Sequence, residues 1–164
     1  MVDRRPVETL VERDDGVVFS MRGAGGGSDL PHDLVHAVVE DQLGVDDGIW
    51  GCVADGVVWR SMTHRSGRQP PHAADRSDRL KRERSASIQR AEALADLVGR
   101  LASGGEVLPG EIPATGMPHQ ALVAAAAELR TLRRRWAGLA AGDVWVVEWD
   151  VVRTRRTGAR AGRR

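Results

Sequence analysis

Two β-prone runs, Val7-Glu8-Thr9-Leu10-Val11-Glu12 and Val17-Val18-Phe19-Ser20-Met21-Arg22, flank Arg13-Asp14-Asp15-Gly16, and this arrangement constrains the fold more than any other stretch. The Asp-Gly pair supplies the positive φ of a tight turn, so the chain is expected to open with an antiparallel hairpin. Near the other end, Val144 to Val152 alternates. Trp145, Val147, Trp149 and Val151 fall on one side, Glu148 and Asp150 on the other, as in a strand with its tryptophans packed on helices. Strands at both ends with helices between them are best satisfied if the C-terminal strand joins the hairpin. The expected class is therefore α+β, with a small antiparallel sheet covered on one face by about three helices.

The intervening sequence carries helical periodicity in three places. Ser28 or Asp29 can cap a first helix running from about Pro31 to Leu43, where Gly44 is placed to end it. A second, about Arg82 to Ala102, aligns Ile88, Ala91, Leu94, Ala95, Val98 and Leu101 and leaves Arg84, Gln89, Glu92 and Asp96 on its wet face. After a Pro/Gly-rich connection, a third runs from about Pro118 to Ala140 on a stripe of Leu122, Leu129, Leu132, Trp136 and Leu139, with Gly142 ending it. The short apolar run Ile49 to Ala54 fits either a helical turn or a strand. Arg60 to Lys81 shows no apolar period and contains Pro70-Pro71, so a mobile basic loop is expected at about 60–81 inside a single domain spanning 1–152.

A chain of 164 residues is long enough for one domain that buries roughly 68–70% of its unfolded surface without covalent staples. Its single cysteine, Cys52, has no intramolecular partner and apolar neighbours, which fits a reducing compartment and a small buried hydrophobe rather than a nucleophile. Arg4-Arg5 is not followed by the apolar run of an export signal, and no segment approaches the roughly 20 apolar residues of a membrane helix. A cytoplasmic protein without membrane contact is the expectation. Of 24 basic residues only Lys81 is a lysine, and neither Asn nor Tyr occurs, a bias that follows from GC-rich coding. Arginine abundance alone is therefore a poor sign of nucleic acid. Charge is nevertheless segregated: net −8 over residues 1–59, +6 over 60–90, −3 over 91–152 and +6 over 153–164. The last segment is expected to be a disordered arginine-rich tail whose contacts with nucleic acid are weak and non-specific.

The chemistry concentrates in Leu30-Pro31-His32-Asp33-Leu34-Val35-His36-Ala37-Val38-Val39-Glu40. Steps of four turn a helix by only about 40°, so His32, His36 and Glu40 share one face. Two imidazoles about 6 Å apart along the axis can bind one ion, and zinc is the expected one. Glu40, about 12 Å from His32 along the axis, is better placed to orient His36 or to act as a base than to ligate. A third ligand must come from elsewhere, with Asp46, Asp47, His64, His72 and His119 as candidates. The alternative is that both histidines are hydrogen-bonded groups in a partly buried face, with Asp33 favouring the helix dipole.

LPHDLVHAVVE followed by GIWGCVADG resembles a signature of small bacterial proteins of uncharacterised activity, LPHDLVH…VE…G(F/W)xG, over about 30 residues. The HDxxH core also resembles the zinc motif of the coenzyme Q biosynthesis scaffold family, which pairs it with a downstream glutamate. Gly48 stands at that position here. The spacing of His32 and His36 points to a divalent-metal domain, and metal-assisted hydrolysis is the reaction such a site would support. Gly23-Ala24-Gly25-Gly26-Gly27-Ser28 sits where a phosphate-binding turn would lie. It lacks the final glycine of a dinucleotide fingerprint, however, and is followed by acidic residues. The alternative function is a non-enzymatic module whose basic arms, around Arg76 to Arg84 and Arg153 to Arg164, contact a partner protein or nucleic acid.

Overall fold

The computed structural model describes residues 7–22 and 29–149; the glycine-rich run and the arginine-rich tail lie outside the described residues. In chain order the elements are β1 (Glu8–Glu12), β2 (Val18–Arg22), α1 (His32–Leu43), α2 (Ile49–Ala54), β3 (Met62–Ser66), α3 (Ala73–Glu83), α4 (Ser85–Ser103), α5 (Glu111–Ala114) and α6 (His119–Ala137). The class is α+β, as expected. β1 and β2 form the hairpin, with Val11 opposite Phe19 and Leu10 opposite Ser20. Gly16 adopts a φ of 76° in the turn, and the Asp15 carboxylate accepts a hydrogen bond from Val17 N–H at 3.1 Å.

Among the described residues the third strand is β3, and 144–149, the described part of the expected C-terminal strand, is not in the sheet. β3 pairs antiparallel with β2, placing Met62 opposite Met21 and His64 opposite Phe19, in a sheet of order β1-β2-β3. The free edge of β2 is thereby taken. Residues 143–149 form no regular element and instead lie against the helices, with the Trp145 ring 6.4 Å from that of Trp136 and under the Arg135 guanidinium. The tryptophan does pack on a helix, but from an irregular segment.

The expected loop over 60–81 is likewise corrected, because it contains β3 and most of α3. Neither element displays an apolar period. β3 buries only Met62, and charged side chains suit an edge strand. Arg65 lies across the outer face of the sheet, donating to Ser20 Oγ at 2.7 Å and to Glu8 at 2.9 Å. α3 buries only Ser77, whose hydroxyl accepts a hydrogen bond from Val58 N–H at 3.0 Å. Pro70-Pro71 precedes this helix and does not interrupt it.

Two apolar clusters form among the described residues. α1, α4 and α6 pack pairwise around Val38, Val39, Leu94, Val98, Leu122 and Leu129, each worth about 1.5–3 kcal/mol when taken from water. Gly44 ends α1 in the left-handed region, φ 64°, as the sequence indicates, whereas α6 stops at Gly138, short of Gly142. The second cluster joins Val11, Phe19, Met21 and Met62 of the sheet to Val53 of α2, with Trp50 and Trp59 packed against it. The ambiguous run at Ile49 is thus a helix. It packs on α1 and supplies side chains to the sheet core.

Candidate metal centre

His32 and His36 occupy the first two turns of α1, on the face toward α4. Their rings meet edge to face with centroids 4.6 Å apart. The third group is Glu92 of α4, which brings Oε2 to 3.2 Å from His36 Nε2. One ligand atom from each of His32, His36 and Glu92 lies within 4.8 Å of the others. Ligand bonds to zinc are about 2.0–2.2 Å, so atoms this close can share one ion after small rotamer adjustments. His36 is buried, while His32 and Glu92 are exposed, leaving one side of the cluster open to solvent.

None of the residues that the sequence offers as a third ligand joins this group. Asp47 accepts a hydrogen bond from Ser87 Oγ at 2.7 Å, His64 is held at Gly67 O at 2.9 Å, and His72 lies 3.7 Å from Asp75. Helical position alone puts Glu92 on a solvated polar face, and its side chain is 53% exposed. Its place in the sequence carries no sign of the site; only the packing of α4 on α1 delivers it.

Glu40 lies on the opposite edge of the His36 ring. It is 1% exposed, and its two oxygens accept hydrogen bonds from Ile49 N–H at 2.8 Å and Trp50 N–H at 2.9 Å. Its Oε1 is 3.6 Å from His36 Nδ1, a buried ring nitrogen that has no partner within hydrogen-bond distance among the described residues. Both Glu40 oxygens are thus turned to the α2 amides and the His36 ring, away from the open side of the cluster where Glu92 stands. Burial is the largest single influence on His36 and opposes its protonation. The nearby carboxylates of Glu40 and Glu92 together outweigh burial and raise its pKa above the ordinary imidazole value.

Trp50 of α2 also reaches α1. Its indole N–H donates to the Asp33 carbonyl at 2.9 Å, tying α2 to the first turn of α1. The neighbouring Asp33 carboxyl is half-buried, and its pKa is raised by desolvation against the opposing charges of His32 and His36. Cys52 is fully buried and its thiol is pushed up by burial, the state of a core hydrophobe. No helix among the described residues is long and apolar enough to cross a membrane. No protein-family model matches the sequence, and neither a curated protein nor a solved structure matches it at significant similarity.

Proposed function

We propose that the protein binds one divalent metal ion, zinc foremost, through His32, His36 and Glu92. The convergence of two imidazole nitrogens and a carboxylate oxygen within 4.8 Å carries this reading. Two nitrogens and one oxygen form a donor set suited to zinc and to other first-row divalent ions, and catalytic zinc sites commonly leave further positions open. A zinc ion held there would supply Lewis acidity to a bound water or carbonyl, the chemistry of metal-assisted hydrolysis. The chain's own contribution is to hold His36 rigidly on a buried helix face while His32 and Glu92 remain accessible.

Purified full-length protein without a histidine tag should carry about one equivalent of metal, or take up one equivalent of Zn²⁺ after chelator treatment. His36→Ala should lose the ion. If the untagged protein is metal-free, takes up no zinc on titration and melts unchanged with chelator, His32 and His36 are structural and the hydrolytic reading falls with the metal.

A further inference from the structure

Behind the metal cluster lies a buried carboxylate whose position links the site to α2. Glu40 is fully enclosed, yet among the described residues it meets no cationic side chain at ion-pair distance other than the His36 ring; its oxygens point at the first two amides of α2. Gly48 completes the enclosure. A Cβ at that position would stand 2.7 Å from Glu40 Cδ and under 3 Å from both carboxylate oxygens, so only glycine lets the carboxylate seat there. α2 in turn sends Val53 into the sheet core and packs Trp50 against it.

We infer that Glu40 is a positioning residue that couples metal occupancy at His36 to the docking of α2, and through α2 to the sheet. This inference rests on the metal reading above. A His36 that ligates through Nε2 must carry its proton on Nδ1, the nitrogen that faces Glu40 across 3.6 Å. That proton gives the orphaned Nδ1 a donor role, and Glu40 is the acceptor within reach. Closing this gap gives the carboxylate three donors from two elements: the His36 ring on α1, and the Ile49 and Trp50 amides on α2. Outer partners of this kind fix the tautomer and orientation of a ligating histidine. Here the same carboxylate also holds the start of a helix, so stabilising one set of bonds stabilises the other, and the effect must be reciprocal.

The test is amide hydrogen exchange of the full-length protein with and without Zn²⁺, together with zinc titration of wild type, Glu40→Gln and Gly48→Ala. Zinc should slow exchange of the Ile49 and Trp50 amides by about tenfold or more, corresponding to coupling of ordinary size. Long-range ¹⁵N spectra of the loaded protein should show His36 protonated at Nδ1. Glu40→Gln should weaken zinc binding about tenfold to a hundredfold and abolish the protection at residues 49 and 50. Gly48→Ala should weaken it in the same direction by displacing the carboxylate. If wild type binds one zinc while exchange at both amides is unchanged, or if His36 carries its proton on Nε2, the coupling is wrong although the metal site stands. The wild-type measurement decides this even if either variant fails to fold. If wild type binds no zinc, the metal reading itself is overturned and the coupling goes with it.

Discussion

Glu92 places a carboxylate oxygen 3.2 Å from Nε2 of His36 across 56 residues of sequence, joining α4 to α1 where the two helices form the candidate site. Glu92→Gln preserves the shape of the side chain and removes its charge. Zinc affinity should then fall by more than about a hundredfold, beyond the range of outer-partner losses. Because the side chain is 53% exposed, stability in urea should stay within about 0.5 kcal/mol of wild type. Isothermal titration with Zn²⁺ checks the first statement, and wild-type affinity in this variant would remove Glu92 from the donor set.

Two glycines should respond in opposite directions to the same methyl group. A Cβ at Gly51 would fall 1.9 Å from the Asp46 carbonyl oxygen, which only a backbone shift could relieve. Gly51→Ala should therefore cost about 3 kcal/mol or more. Gly99, inside α4, has open space where a methyl would stand, and Gly99→Ala should stabilise by about 0.5–1 kcal/mol through the lower backbone entropy of its unfolded state. Urea unfolding midpoints of the two variants should bracket that of wild type.

Ser77 anchors α3 to the chain before β3 through one buried hydroxyl. Its Oγ accepts from Val58 N–H at 3.0 Å and reaches Val58 O at 3.4 Å. Ser77→Ala deprives a backbone amide of its acceptor, and the expected loss is about 1–3 kcal/mol. Amide exchange at Val58 should accelerate in this variant; unchanged protection there would show that another acceptor holds the amide.

Arg100 and Glu111 form a two-pronged pair, with nitrogen–oxygen distances of 2.6 and 2.9 Å, and Leu108 N–H adds a bond at 2.7 Å. The Arg100 guanidinium, followed by the Leu108 amide, lowers the Glu111 pKa from the usual 4.5 to about 2. A carboxyl depressed in the folded state contributes stability above its unfolded pKa and loses it as pH falls through the folded one. The window here is therefore pH about 4.5 down to about 2. Carboxyl NMR titration should show Glu111 titrating near the lower limit, and Arg100→Ala should return it toward the ordinary value.

Local chemistry made several features legible in sequence. The Asp-Gly turn defined the hairpin, steps of four placed His32, His36 and Glu40 on one helix, and Gly44 marked where that helix stops. Each depends on neighbours within a few residues, whose geometry follows from backbone sterics and helical periodicity. Tertiary structure decided what pairs with what. The Val144–Trp149 alternation described a segment able to form a strand, but β3 holds the edge of β2 through a polar sequence with no apolar period. Glu92 was equally hidden: on its own helix it is one exposed carboxylate among several, and it becomes a candidate ligand only because apolar packing sets α4 against α1. Periodicity reports which face a side chain occupies. It carries no information about the residue that a distant part of the chain brings to meet it.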